Sequence, residues 1–169
     1  MNTYALAVTQ PAKMLGNLLA WLDKAEAHAE AKGFDVAVLL EARLAPDMFP
    51  LRRQIQAAAD GAKFLGARVA GVEPPKHPDT ETTLAELRDR VQAVRTFLAE
   101  LPTEPFEQAS ERSLSLPFLP EGKTIRATDY ANEFALPNFS FHVVTTYAIL
   151  RNNGVELGKR DYITGLTLQ

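Results

Sequence analysis

The sequence contains no cysteine. Disulfide frameworks, thiolate zinc sites, iron–sulfur ligation and cysteine nucleophiles are therefore excluded, and the three histidines are the only strong nitrogen ligands. A cysteine-free chain fits a reducing compartment. Basic excess is missing as well: the net charge is −3 and the pI about 5.6, which gives no electrostatic footprint for duplex DNA or RNA. No segment approaches the roughly 20 apolar residues of a membrane span. The start, "MNTYALAVTQPAKML", has no basic region followed by an uninterrupted apolar run. A soluble cytoplasmic protein with no nucleic-acid and no membrane partner is expected. Neither phosphate-binding loop, GxxxxGK[ST] or GxGxxG, occurs, and there is no Gly-x-Ser-x-Gly elbow. No internal repeat, low-complexity tract or second domain is visible, so residues 1–169 read as one domain.

What is present is helical periodicity. From Pro11 to Lys32, Leu15, Leu18, Leu22, Ala25 and Ala29 recur on one face, and Gly33 provides a stop. After a connection with room for a short helical turn, Pro46 and Pro50 suit the first turn of a second helix. That helix is expected to run to about Ala70, with Leu51, Gln54, Ile55, Ala58, Ala62, Leu65 and Val69 in one stripe. Gly61 and Gly66 on it are a packing signal, allowing close approach of another helix. "GVEPPKHPDT" ends it, and a third helix is expected from about Thr80, with Leu84, Leu87, Val91, Val94 and Leu98 on one face and no capping box at its start. Around a Pro-Glu-Gly turn, Ser113 to Leu116 and Lys123 to Arg126 read as a small hairpin. A fourth helix follows from Asp129, its expected N-cap, to about Asn153, bent or locally unwound by Pro137. Four amphipathic segments of about 20 residues make an all-α four-helix bundle with a small β-hairpin before the last helix.

On the fourth segment Phe134, Asn138, Phe141, His142, Thr145 and Ile149 fall on one face, so a polar pair is embedded in an apolar stripe. Buried without partners, an amide or imidazole costs about 1–3 kcal/mol, so neighbours must satisfy them. Gln54 on the second helix, with Asp47 about two turns upstream, nominates a polar cluster between the two helices. Tyr130 and Tyr147 are further candidate donors to a pocket, and Arg43 and Arg53 candidate carboxylate binders. His28, among Lys24, Glu26 and Glu30, is expected to be solvated, and His77 lies in a proline-rich loop away from His142. The carboxylates Glu81, Glu86, Asp89 and Glu100 alternate with basic residues and read as solvated faces. Phe139, Val143, Tyr147 and Leu150 exceed what one buried stripe requires, which predicts a second partner for the last helix: another helix or another subunit.

The hairpin before the last helix and "ALPNFSFHVVTTYAILRNNGV" resemble the DinB-like superfamily of four-helix bundles. "AWLDKAEAHAEAKGFD", "LAPDMFPLRRQIQAAAD", "AGVEPP" and "GKRDY" resemble one branch of it, the domain of unknown function numbered nineteen ninety-three. The resemblance implies an antiparallel bundle, frequent homodimers and, in many relatives, a divalent metal held by three histidines. One of these comes from the second helix and two from a His-x-x-x-His pair on the fourth. Here His142 falls at the second position of that pair and Asn138 at the first, while Gln54 or Gln56 falls where the helix-two ligand would be. The expectation is a degenerate metal site with no metal, in which Gln54, Asn138, His142 and Tyr130 line a pocket for a small molecule. A divalent transition metal, if held, would use His142, Asn138 and Asp47 in a residual transferase or hydrolase. The third reading is a structural dimeric bundle without catalysis. No motif assigns a substrate or a reaction.

Overall fold

The computed structural model describes residues 2–166; Met1 and the expected tail residues 167–169 lie outside the described residues. Four long helices carry the core: α1 (Gln10–Lys32), α3 (Leu51–Ala70), α4 (Leu84–Glu100) and α7 (Leu136–Asn152). The short helices α2 (Ala37–Leu40), α5 (Glu104–Glu107), α6 (Ala127–Asp129) and α8 (Lys159–Tyr162) fill the connections. Strands β1 (Ser113–Leu114) and β2 (Ile125–Arg126) form the hairpin, pairing Ser113 with Arg126 and Leu114 with Ile125. The ladder is shorter than the sequence pattern suggests: Lys123 and Thr124 stay outside it.

The apolar stripes read from the sequence are the core. Leu15, Leu18, Leu22, Leu51, Ile55, Ala58, Ala62, Leu65, Leu87, Val91, Val94 and Leu98 are all fully buried. Helix directions follow from which residues meet. Along α3, Gln54, Gly61 and Arg68 meet His142, Phe139 and Tyr130 in descending order, so α3 and the last helical segment run antiparallel. Gly16 and Glu26 of α1 meet Arg95 and Arg88 of α4, again antiparallel. Asp60 and Gly66 of α3 meet Arg90 and Leu98 of α4 in ascending order, so these two are parallel. Two antiparallel pairs thus lie side by side, and the long 71–83 connection exists because a parallel neighbour has to be re-entered from its far end.

Local chemistry explains most boundaries. Gly33 and Gly71 adopt φ of 72° and 74° and close α1 and α3 with left-handed caps. A π-helical turn stands directly before the prolines of α1 and α7, Ala5–Thr9 ahead of Pro11 and Tyr130–Ala135 ahead of Pro137. A proline lacks an N–H and its ring crowds the carbonyl four residues back, and one extra residue in the turn relieves both. The expected unwinding at Pro137 is therefore a π turn.

Other expectations are corrected. α4 starts at Leu84 rather than near Thr80, and it has a capping box: Thr83 accepts from Glu86 N–H at 3.2 Å, and Glu86 accepts from Thr83 N–H at 2.9 Å. Asp129 is not an N-cap; Arg126 holds that position and Asp129 sits inside the first turn. Phe139, Val143 and Leu150 are buried within the chain, so of the two expected partners it is other helices of the bundle that cover them. Tyr147 packs on Trp21 and Tyr162 at 5.6 and 5.9 Å. The apolar residues left exposed near and on α7 are Phe134, Phe141 and Val144. No helix among the described residues is long and apolar enough to cross a membrane.

Gly66 has no room for a side chain: an added Cβ would stand 2.5 Å from Leu98 and 3.0 Å from Leu101, whereas at Gly16 it meets only the mobile end of Arg95 at 3.4 Å. Gly66→Ala is expected to lower unfolding stability in urea by about 1–3 kcal/mol from overpacking. Gly16→Ala is expected to raise it by about 0.5–1 kcal/mol through helix propensity.

Candidate functional site

The α3–α7 seam brings together His142 and Gln54 of the expected inter-helix polar cluster. His142 Nδ1 lies 2.7 Å from Gln54 Oε1, and Gln54 Nε2 donates to the Phe49 carbonyl at 3.3 Å. Gln54 is 1% exposed, and these two partners engage both its amide oxygen and its amide nitrogen. With the amide oxygen facing the ring, Nδ1 carries the proton and Nε2 keeps the lone pair. Burial, and then the Arg53 charge, push the His142 pKa below the usual imidazole value. The ring is neutral at pH 7.

Gln56, the alternative to Gln54, turns the other way: it accepts from Arg53 at 3.1 Å and donates to Glu81 at 2.8 Å. Asp47 does not stack on the Gln54 side. Pro50 is extended, with ψ of 164°, and α3 begins only at Leu51, so helical counting does not reach Asp47, which stays exposed in the preceding turn. Arg43 donates to the Met48 carbonyl nearby. His28 is half-buried against Phe34, at 5.8 Å between ring centroids, rather than fully solvated.

One turn along from the Gln54–His142 pair, a cleft of about 280 Å³ opens between α3, the 71–83 connection, the hairpin loop and the π turn. Asn138 and Tyr130 line it, as expected, but Gln54 and His142 stand beside it rather than in its wall. Arg53, a candidate carboxylate binder, and Phe134, on the Asn138 face, also line it, whereas Asp60, Phe64 and Arg68 from α3 and Asp79 and Phe118 opposite were not anticipated. Their signal was available, since 53, 57, 60, 64 and 68 repeat at helical spacing on α3. Asn138 makes no side-chain hydrogen bond among the described residues and is free to meet a ligand.

Beneath the cleft lies a charge cluster. Arg90, with a side chain 1% exposed, reaches Asp60 at 2.9 Å, Asp79 at 2.7 Å and Glu81 at 2.8 Å. Lys63, also buried, pairs with Asp60 at 2.6 Å and contacts His77 Nδ1 at 3.1 Å. Arg53 pairs with Asp79 at 2.7 Å. Glu81 is thus not on a solvated face. Burial would raise the Asp79 and Glu81 carboxyls, but hydrogen bonds and charge from Arg53 and Arg90 for the first, and chiefly from Arg90 for the second, outweigh it and hold both below the ordinary range. His77 is lowered by burial, then by Lys63 and Arg90.

The three-histidine site implied by the resemblance does not fit these residues. His142 offers one free imidazole nitrogen, and Gln54 and Asn138 offer only neutral amides, weak donors for zinc or nickel. Among the described residues no three His, Asp or Glu side chains converge at metal-holding spacing.

Both lowered histidines give a signed pH dependence. Below about pH 6.5 the unfolded imidazoles take up protons that the folded ones refuse, so stability falls as pH drops toward their folded pKa values and then levels until the carboxylates titrate. Long-range ¹H–¹⁵N NMR should show His142 as the Nδ1–H tautomer with a midpoint below 6.5. An Nε2–H tautomer, or a raised midpoint, would contradict the Gln54 contact.

A family model described as "Domain of unknown function (DUF1993)" matches residues 3–163. A crystal structure of a DinB family member protein from Shewanella denitrificans is 48% identical, with a TM-score of 0.94, and the match covers 98% of this chain and 94% of that one. No match is found among curated proteins. With its bundle, its hairpin and its α3–α7 seam in place, the chain belongs to the DUF1993 family of unknown function, within the DinB-like superfamily.

Proposed function

We propose that this protein, acting as a single 169-residue domain, is a small-molecule-binding DinB-like bundle whose ancestral metal position has been converted into the Gln54–His142 hydrogen bond. One observation carries the reading: the cleft beside that pair combines cationic, amide and aromatic side chains around about 280 Å³ of space, near the lower end of ligand-site volumes. The neutral His142, with its proton on Nδ1, supports a positioning role in the seam between Asn138 and Gln54. No resident metal belongs to this reading, because the available donors are amides and a single imidazole.

A homodimer is part of the same proposal, supported by the exposed Phe141 and Val144 on the outer face of α7. So is a cytoplasmic location, which suits a cysteine-free acidic chain.

A thermal-shift screen of metabolites against wild type and Asn138→Ala tests the binding role. A ligand that raises the melting temperature of wild type and does so about five- to twelvefold less potently in the variant is the expected outcome, with about 1–1.5 kcal/mol for the lost hydrogen bond. Untagged protein should carry transition metal well below stoichiometric amounts. Near-stoichiometric metal lost in His142→Ala would restore the metalloenzyme reading.

A further inference from the structure

The inference that follows rests on the cleft being a binding site, and concerns what it binds. Of the cations around it, Arg53 faces Asp79, Lys63 faces Asp60, and Arg90 faces three carboxylates. Arg68 alone among these has no carboxylate within ion-pair distance among the described residues. Its guanidinium lies 4.6 Å from the Phe64 ring centre and 5.4 Å from that of Tyr130, and it donates to the Tyr130 oxygen at 2.9 Å. Arg53, Lys63, Arg68 and Arg90 stand against Asp60, Asp79 and Glu81, so with His77 and His142 neutral one positive charge is left over.

Tyr130 supplies the second observation. It is 1% exposed and lines the cleft, and its oxygen accepts from Arg68, yet its own O–H finds no acceptor among the described residues. Buried hydroxyl protons in folded proteins are nearly always accepted by something. Burial raises the Tyr130 phenol further than Arg68 lowers it, so it keeps its proton at neutral pH. An uncompensated guanidinium and an unaccepted O–H therefore stand together, both with hydrogens left to donate. Beside them the rings of Phe118 and Phe134 stack at 4.6 Å with 26° between planes, and Tyr130 continues the stack 5.9 Å from Phe134.

We propose that Arg68 and Tyr130 form a carboxylate anchor, and that the cleft takes a small organic monocarboxylate with a flat apolar body. The carboxylate accepts from the free N–H groups of Arg68 and from the Tyr130 O–H. Its body lies against Phe134 and Phe118, and the unpartnered Asn138 amide reads a polar substituent at the far side. One leftover charge selects a monoanion over a dianion or a cation, and the cleft volume favours a single-ring body.

Benzoate, benzamide and benzylamine, of similar shape and different charge, test this by NMR titration and calorimetry. Benzoate is expected to shift the amide resonances of the cleft and to bind at least about tenfold more tightly than benzamide, as charge-assisted hydrogen bonds require. Arg68→Gln should abolish that preference, Arg68→Lys should keep part of it, and Tyr130→Phe should weaken benzoate about three- to tenfold. Arg43→Gln, outside the cleft, should change nothing, and circular dichroism confirms that each variant folds. Equal binding of benzoate and benzamide, or an Arg68→Gln variant with undiminished benzoate affinity, would overturn the anchor. If benzamide or benzylamine shifts the cleft resonances and benzoate does not, the carboxylate assignment falls and the binding cleft stands. If none of the three does, both fall.

Discussion

The buried Arg90 guanidinium is the contact on which the rest of this structure depends. A single cation on α4 gathers Asp60 of α3 together with Asp79 and Glu81 of the 71–83 connection. Burial alone would pull its pKa down; hydrogen bonding to Glu81 and the charges of Asp60, Glu81 and Asp79 more than reverse this. Such a cluster contributes less to net stability than its short distances suggest, since all its members leave water to form it. What it does provide is register. It fixes a long polar connection against two parallel helices that no short loop could join, and it holds Asp79 at φ of 57°, the one non-glycine residue with positive φ among the described residues.

From that fixed connection the cleft follows. Asp79 reaches Arg53 from one side, and the α3 face from Arg53 to Arg68 becomes the floor. On the opposite side the π turn before Pro137 adds a residue to the helix and sets Tyr130 and Phe134 toward the hairpin loop, where Phe118 meets them. Small residues complete the geometry: Gly61 brings the α3 backbone against Phe139, with an added Cβ only 3.3 Å from its Cα. That closeness places Gln54 within hydrogen-bond reach of His142.

Much of this was legible in the sequence, and the failures have physical reasons. The core stripes, the Gly33 and Gly71 stops and the Gln54–His142 meeting all follow from helical periodicity, which is local information. The start of α4 lies past Thr80 because the reciprocal cap bonds run between Thr83 and Glu86, three residues further on. α7 carries two apolar stripes, and sequence does not say which faces the core. Across the π turn Phe134 still shares the cleft with Asn138, while Phe141, counted on the same face, is left exposed. Arg90 and Glu81 could not be singled out from a helix of alternating charges, since their burial is created by a connection folding back from outside that helix. Arg68 was missed for a different reason: its role is defined by the absence of a carboxylate, visible only once Arg53, Lys63 and Arg90 beside it are seen to have theirs.

Arg90 sets the position of the 71–83 connection and, through it, the cleft. Hydrogen exchange and urea unfolding of Arg90→Met measure this most directly, with Arg90→Lys as the charge-retaining comparison. Removing the shared cation strands Glu81 and leaves Asp60 and Asp79 one partner each, which should cost Arg90→Met about 3–5 kcal/mol, with exchange protection lost first in the 71–83 connection and at the start of α4, and Arg90→Lys should fall between it and wild type. An Arg90→Met protein as stable as wild type, with that connection still protected, would contradict the account.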